Sequence, residues 1–444
     1  MNSFYICNNF CLVMKKFLTL SPVLVFMAVY LISAAVIKDF YKIPISAAFM
    51  IACGYAFLIF PGGLKENVTC FSSGAGDRNV LLMIWIFILA GAFAATAKQA
   101  GAIEAMVNLT LSVIPGGFLL GGLFIASCIV SFAVGTSVGT IVAIMPLASG
   151  IAAETGMDMA TTAAAVVGGA FFGDNLSFIS DTTIASTQAL GCELRDKFRA
   201  NIKIVAPAVL IVLVIYLFIG RGNEGNFSHG GIDVPKLIPY LSVIIMAFCR
   251  IHVLCILAAG LVLNLCTGLL SGSIGWTSWM VACGEGIYGM GELIIITLLA
   301  GGLLALIRRN GGLDYLASAL TYRLKGPRAA EFAIAALVSL ANICTANNTI
   351  AIITCGGIAK DLCGRFNLKP RKVASIMDTF SCLVQGILPY GAQLLMAASL
   401  AGISAAAIIP KLYYPFVLGI CAILGILIGK AGHGTDPSAS QRSL

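Results

Sequence analysis

The sequence predicts an all-α integral membrane protein: about ten transmembrane helices plus two re-entrant hairpins, arranged as two repeats of inverted topology with broken helices. Three observations lead there. Of 444 residues, 59% are hydrophobic and 10% charged, with mean hydropathy +0.99, whereas soluble domains carry roughly 25% charged residues. Apolar runs of about 20 residues recur, the length a helix needs to cross the hydrocarbon core. Helices rather than barrel strands satisfy their own backbone within such runs. The third observation is internal similarity between the two halves. The net charge of +8 sits mostly in short loops, which marks orientation rather than nucleic-acid affinity. Membrane lipid is the expected partner, and no nucleic acid.

Spans are expected at about 17–37, 43–62, 79–97, 160–190, 203–220, 237–249, 251–272, 285–307, 372–405 and 411–429. Those at 160–190 and 372–405 are too long for one simple crossing. Polar, Gly or Pro residues interrupt both, so each is read as a broken helix. The segments 117–150 and 328–359 are apolar but broken by GTSVGT and NICTANNT, and loop charge decides their path. The flanks of the first hold one basic residue, Lys98. The flanks of the second hold Arg308, Arg309, Arg323, Lys325 and Arg328 on one side, and Lys360, Arg365, Lys369, Arg371 and Lys372 on the other. Each segment therefore enters and leaves on one side, as a re-entrant hairpin. The first opens outward and the second inward. The loop 191–203, with Arg195, Lys197, Arg199 and Lys203, is then cytoplasmic, and so are both termini. The Lys38/Lys42 loop falls outside, against the charge rule.

The repeat is read from three stretches. LAGAFAATAKQAGAIE (89–104) matches LAGGLLALIRRNGGLD (299–314) at an offset of 210. GTSVGTIVAI (135–144) matches CTANNTIAII (344–353) at 209, which pairs Thr136 with Thr345 and Thr140 with Thr349. NLSFISDTT (175–183) falls opposite LVQGILPYG (383–391) at 208, by register rather than identity. An odd number of crossings between equivalent points inverts the second copy. Residues 1–222 form the first repeat and 223–444 the second, within one membrane domain. Inverted repeats with broken helices meeting at the midplane are the architecture of secondary transporters.

Other features lead less far. Met14, followed by Lys15 and Lys16, is an alternative start to Met1, which would make residues 1–13 dispensable. Fifteen cysteines are scattered through apolar runs with no CxxC, and read as small packing residues. His229, His252 and His433 form no metal motif. GTSVG fits the pattern of a serine nucleophile elbow, but the strand–turn–helix context and a histidine partner are missing. An enzyme is not expected.

The stretch GDNLSFISDTT carries the chemistry. Asp174, Asn175, Ser177, Ser180, Asp181, Thr182 and Thr183 offer hard oxygen ligands, which suit Na⁺ or Li⁺ and not a soft transition metal. A carboxylate there holds a proton or a cation, not both, and that competition couples opposing fluxes. The alternative is a polar loop at the membrane surface. The hairpin tips bring Thr136, Ser137 and Thr140 from one side and Thr345, Asn347, Asn348 and Thr349 from the other. Their alternative role is close helix packing by small residues. The second broken helix supplies Asp378, Thr379, Ser381, Gln385, Pro389, Tyr390 and Gln393. Glu285 and Glu292 sit near a helix start, where the dipole favours acids.

On SFAVGTSVGTIVAIMP (131–146) and GGAFFGDNLSFISDTT (168–183), the chain resembles the NhaC-type Na⁺/H⁺ antiporter family, within the ion transporter superfamily of inverted-repeat secondary carriers. The family pattern reads approximately G-D-K-L-S-P-L-S-D-T-T. Gly173, Asp174, Leu176, Ser177, Ser180, Asp181, Thr182 and Thr183 match it. Asn175 stands in place of the family's Lys, which removes a competitor for Na⁺, and Phe178 in place of Pro. DTFSCLVQGILPY (378–390) keeps only the acid and the Pro-aromatic pair of the second-half pattern. The resemblance implies Na⁺(Li⁺)/H⁺ antiport with transient cation binding at Asp174 and Asp181, no cofactor, and a bacterial inner membrane. A carrier of small organic anions or amino acids, coupled to Na⁺ or H⁺, is the alternative, favoured by the amides Asn342, Asn347, Asn348, Gln385 and Gln393. A homodimer is left open.

Overall fold

The computed structural model describes residues 18–37, 44–178, 180–221, 233–249, 251–321 and 324–428. The Met1 or Met14 start, the Lys38/Lys42 loop, Arg323, His229, His433 and both termini lie outside the described residues. The described residues are helical throughout, with no strand. In chain order the helices are α1 (Ser21–Ile37), α2 (Ile45–Ile59), α3 (Leu64–Ala75), α4 (Arg78–Gln99), α5 (Ala102–Val113), α6 (Leu119–Val134), α7 (Ser137–Thr155), α8 (Met159–Leu176), α9 (Asp181–Leu190) and α10 (Leu194–Gly220). They continue as α11 (Val234–Phe248), α12 (Val253–Ser271), α13 (Trp276–Gly289), α14 (Gly291–Arg309), α15 (Gly312–Thr321), α16 (Pro327–Thr345), α17 (Asn348–Arg365), α18 (Pro370–Ile387), α19 (Ala392–Ala401), α20 (Ala405–Ile408) and α21 (Tyr413–Ile428).

Among the described residues nine helical stretches are long and apolar enough to cross a membrane, or ten with the bent pair that ends in α21. Both broken helices are there. Met159–Leu190 and Pro370–Ala401 are each 32-residue stretches, interrupted between Leu176 and Asp181 and between Ile387 and Ala392. The two segments expected as re-entrant hairpins are helix–turn–helix units, α6–α7 and α16–α17, and α6 (with the turn before it), α7 and α16 each have the length and hydropathy of a membrane span. Four helices of ten residues or more were not foreseen: α3, α5, α15 and most of α13. They are too short or too polar to stand out in a search for apolar runs. Loop-charge counting also placed 191–203 outside the spans. In the structure α10 begins at Leu194 and carries Lys197 and Asn201 into the interior, buried to 1% and 0% exposure.

Backbone landmarks correct the repeat register. Gly101 and Gly311, both in the left-handed region at φ 77° and 76°, keep the offset of 210 read for the first stretch. Past them the offset is 211. Gly135 and Ala346 are left-handed C-caps, and Asp158 and Lys369 are N-caps. Ser180 and Gly391 open α9 and α19, and Gly191 and Gly402 close them. Shared threonines drew the second match two residues out of phase, and the third, placed by register, was three out. Thr136 corresponds to Asn347 and Ser137 to Asn348. Asp174 corresponds to Gln385, so the two buried aspartates are not repeat equivalents.

Helix α8 is the centre of the molecule, buried around nearly its whole circumference. It lies against α6, α7, α10, α18 and α19. Glycines set the closeness of the α6 contact. A Cβ on Gly169 would stand 2.5 Å from the Phe124 carbonyl oxygen, and one on Gly173 would stand 2.3 Å from the Ser131 carbonyl carbon. Small residues let two helix backbones approach in this way.

Candidate functional site

The first helix break supplies the acid. Asp174 stands in the last turn of α8, 5% exposed. Its Oδ1 accepts the Ser137 backbone N–H at 3.0 Å and its Oδ2 accepts the Ser137 hydroxyl at 2.5 Å. Ser137 is the first residue of α7, whose N-cap, Thr136, makes no side-chain cap bond. Asp174 therefore caps a helix from another element, where the N-terminal dipole favours an anion. Among the described residues no cationic side chain lies within ion-pair distance of it.

The break also frees carbonyls. Thr182 donates its hydroxyl to the Asp174 carbonyl at 2.8 Å, and Thr183 approaches the same oxygen at 3.5 Å. Ser180 and Thr182 share a hydroxyl contact at 2.9 Å. The Asn175 carbonyl accepts from Lys197 Nζ at 2.8 Å and from Asn201 Nδ2 at 2.7 Å. Lys197 also donates to Thr183 Oγ1 at 2.6 Å and lies 2.7 Å from Asp378 Oδ2. Asn201 donates to that same Asp378 oxygen at 2.8 Å, and Ser375 donates to Asn201 Oδ1. Lys197 thus ties both sides of the first break to α18. A cation reaches the site from α10.

An amide relay joins the two breaks. Gln393 in α19 donates to the Ser137 hydroxyl oxygen at 3.0 Å, and Gln385 in α18 donates to Gln393 Oε1 at 2.9 Å. Gln385 also donates to the Ala346 carbonyl at the second hairpin tip, at 3.0 Å. Several buried oxygens accept no hydrogen bond from the described residues: Asn175 Oδ1, Asp378 Oδ1, Thr379 Oγ1, Asn342 Oδ1 and Gln385 Oε1. Buried polar atoms are ordinarily paired.

Of the other expected residues, Asp181 is exposed and opens α9 on the far side of the break. It lines a cavity of about 630 Å³ together with Asn79, Gln188, Thr349 and Gly356. Ser177 is buried at the end of α8. Thr140 returns its hydroxyl to the Thr136 carbonyl. Thr345 donates to the Asn347 carbonyl, Asn347 caps α17 through the Ile350 N–H, and Asn348 contacts Cys382 Sγ. Tyr390 donates to the Ile343 carbonyl at 2.8 Å and packs edge-on against Phe26 and Phe49. Glu285 and Glu292 lie outside the network, Glu292 near Ser46 at 3.5 Å. His252 caps α12, and Ser137 is engaged by Asp174 and Gln393. Sequence reading missed Lys197, Asn201 and Ser375. The available signal was the i, i+4 spacing of Lys197 and Asn201, which puts both on one face of a helix.

The chain is similar to curated transporters along nearly its whole length. It is 26% identical to the Na⁺/H⁺ antiporter NhaC of Alkalihalophilus pseudofirmus, over 91% of this chain and 95% of that protein. Identity to the Na⁺/H⁺ antiporter NhaC of Bacillus subtilis is 27%, over 80% and 84%. The malate-2H⁺/Na⁺-lactate antiporter of Bacillus subtilis is 23% identical over 92% and 94%. The model of the Na⁺/H⁺ antiporter family matches residues 4–221 and 235–433. A match of that extent, on a chain whose two broken helices meet around buried acids, makes it a member of the Na⁺/H⁺ antiporter family.

Proposed function

We propose that the protein exchanges cytoplasmic Na⁺ or Li⁺ for external H⁺, with Asp174 as the group that alternates between proton and cation. The supporting observation is the setting of Asp174. It is a buried carboxylate with two donors and no positive partner among the described residues, at the junction of a helix break and a hairpin tip. A lone buried charge is costly, so the carboxylate takes a proton or a dehydrated cation. The unpartnered oxygens of Asn175, Asp378 and Thr379 are neighbouring hard donors of the kind that suit such an ion. The cavity at Asp181 and Thr349 would be an antechamber, where Asp181 attracts the hydrated ion before it reaches Asp174.

In this reading residues 1–222 and 223–444 are repeats of inverted topology, both termini are cytoplasmic, and the protein lies in a bacterial inner membrane. Rocking of one part against the other exposes the site alternately. The similarity to a malate/lactate antiporter supports a second reading, exchange of organic anions. Against it, both N–H groups of Gln385 are already given to Ala346 and Gln393, and one of Asn342 to the Ser381 carbonyl. Few amide donors remain for a carboxylate.

Everted vesicles lacking other antiporters distinguish the two. Na⁺ and Li⁺, but not K⁺, should release a preformed pH gradient. Release by malate or lactate, with no response to Na⁺ alone, would favour the organic-anion reading.

A further inference from the structure

We propose that Lys197 is a tethered cation filling a second cation position of the site, so that the two buried aspartates hold one exchangeable cation and not two. An ammonium has three N–H donors. Lys197 gives one each to the Asn175 carbonyl, the Thr183 hydroxyl and the Asp378 carboxylate, at 2.8, 2.6 and 2.7 Å. These acceptors are a peptide carbonyl at the end of a half-helix, a hydroxyl just past the break, and a carboxylate from a second broken helix. Broken helices hold a small metal cation with oxygens of this kind. The ammonium occupies them, and at 1% exposure it is not shared with solvent.

Charge counting says what its removal does. Asp174 and Asp378 carry two negative charges and Lys197 one positive, leaving one to be neutralised by a mobile cation. The other buried acid among the described residues, Glu331, is matched by Lys372 at 2.7 Å. Lys197→Met leaves two buried negative charges and an empty oxygen shell. Lys197→Met with Asp378→Asn returns the count to one.

The inference rests on the antiport reading for the identity of the cation, but its test needs no gradient. Purified full-length protein is unfolded thermally at increasing Na⁺, with choline holding ionic strength constant. The Na⁺ dependence of stability counts ions bound to the native state. Well above the dissociation constant, one ion changes the unfolding equilibrium tenfold per tenfold Na⁺, and two ions a hundredfold. Wild type should give the first slope, Lys197→Met the second, and the double variant the first again. If Lys197→Met is unfolded without Na⁺, high Na⁺ should restore it, and absence of rescue overturns the proposal. One-ion slopes in all three proteins would remove the role of Lys197 alone. A zero slope in wild type would instead sink the Na⁺ reading beneath it.

Discussion

Asp174 and Asp378 are both buried, yet among the described residues only Asp378 has a cation beside it. Asp174→Asn keeps the shape and much of the hydrogen bonding to Ser137 but removes the charge, so Na⁺-driven proton movement should fall to background in protein that still inserts normally. Asp378→Asn should act first on stability. It leaves Lys197 buried opposite a neutral amide, and breaking such a pair costs about 3–5 kcal/mol. Its melting temperature in detergent should fall well below wild type, and adding Lys197→Met should recover part of the loss. Asp174 was legible because a charge interrupts a dense apolar run. Lys197 was not. A basic residue between two spans reads as a cytoplasmic marker, and only the early start of α10 shows that it faces inward.

Helix ends and crossings decide where these residues fall. The breaks near 177–180 and 388–391 were legible from their polar, Gly and Pro content, but the N-terminus of α10 was not. Its first turns, LRDKFRAN, mix exposed and buried positions, and the apolar run begins only at Ile202. Gly173→Ala tests the α6–α8 crossing on which Asp174 depends. The added methyl would overlap Ser131 backbone atoms within 2.5 Å, which cannot move aside as a side-chain end can. The variant should express poorly or lose exchange, whereas Gly357→Ala, with open space around it, should behave as wild type. At the start of α8, Asp158 accepts the Thr161 N–H, and the Thr161 hydroxyl bond holds its carboxyl below the usual range. Its stabilisation is therefore present above the ordinary carboxylate range and lost as pH falls through the lowered value. Asp158→Ala should cost about 1 kcal/mol at neutral pH, and its melting curve should converge with wild type in acid.

Across the whole molecule, the two halves share an order of helices and a register, but not their acids. Composition alone showed a helical membrane protein, and the repeat was visible from LAG and the glycine that follows. The offset slipped by two where matching threonines outweighed backbone landmarks that no sequence displays, and by three in the stretch beyond. What joins the halves around Asp174 is the relay Ser137–Gln393–Gln385–Ala346 and the Lys197–Asp378 pair. Ser137→Ala and Gln393→Ala should therefore couple, with the double variant's effect on Na⁺ dependence departing from the sum of the singles by at least about 0.5 kcal/mol. The central claim, that Asp174 and not Asp181 carries the exchanged ion, is tested most directly by Na⁺-driven proton flux in proteoliposomes for wild type, Asp174→Asn and Asp181→Asn. The account predicts no flux from Asp174→Asn, and flux from Asp181→Asn that survives with a raised Na⁺ requirement. Full flux from Asp174→Asn, or complete loss only in Asp181→Asn, would contradict it.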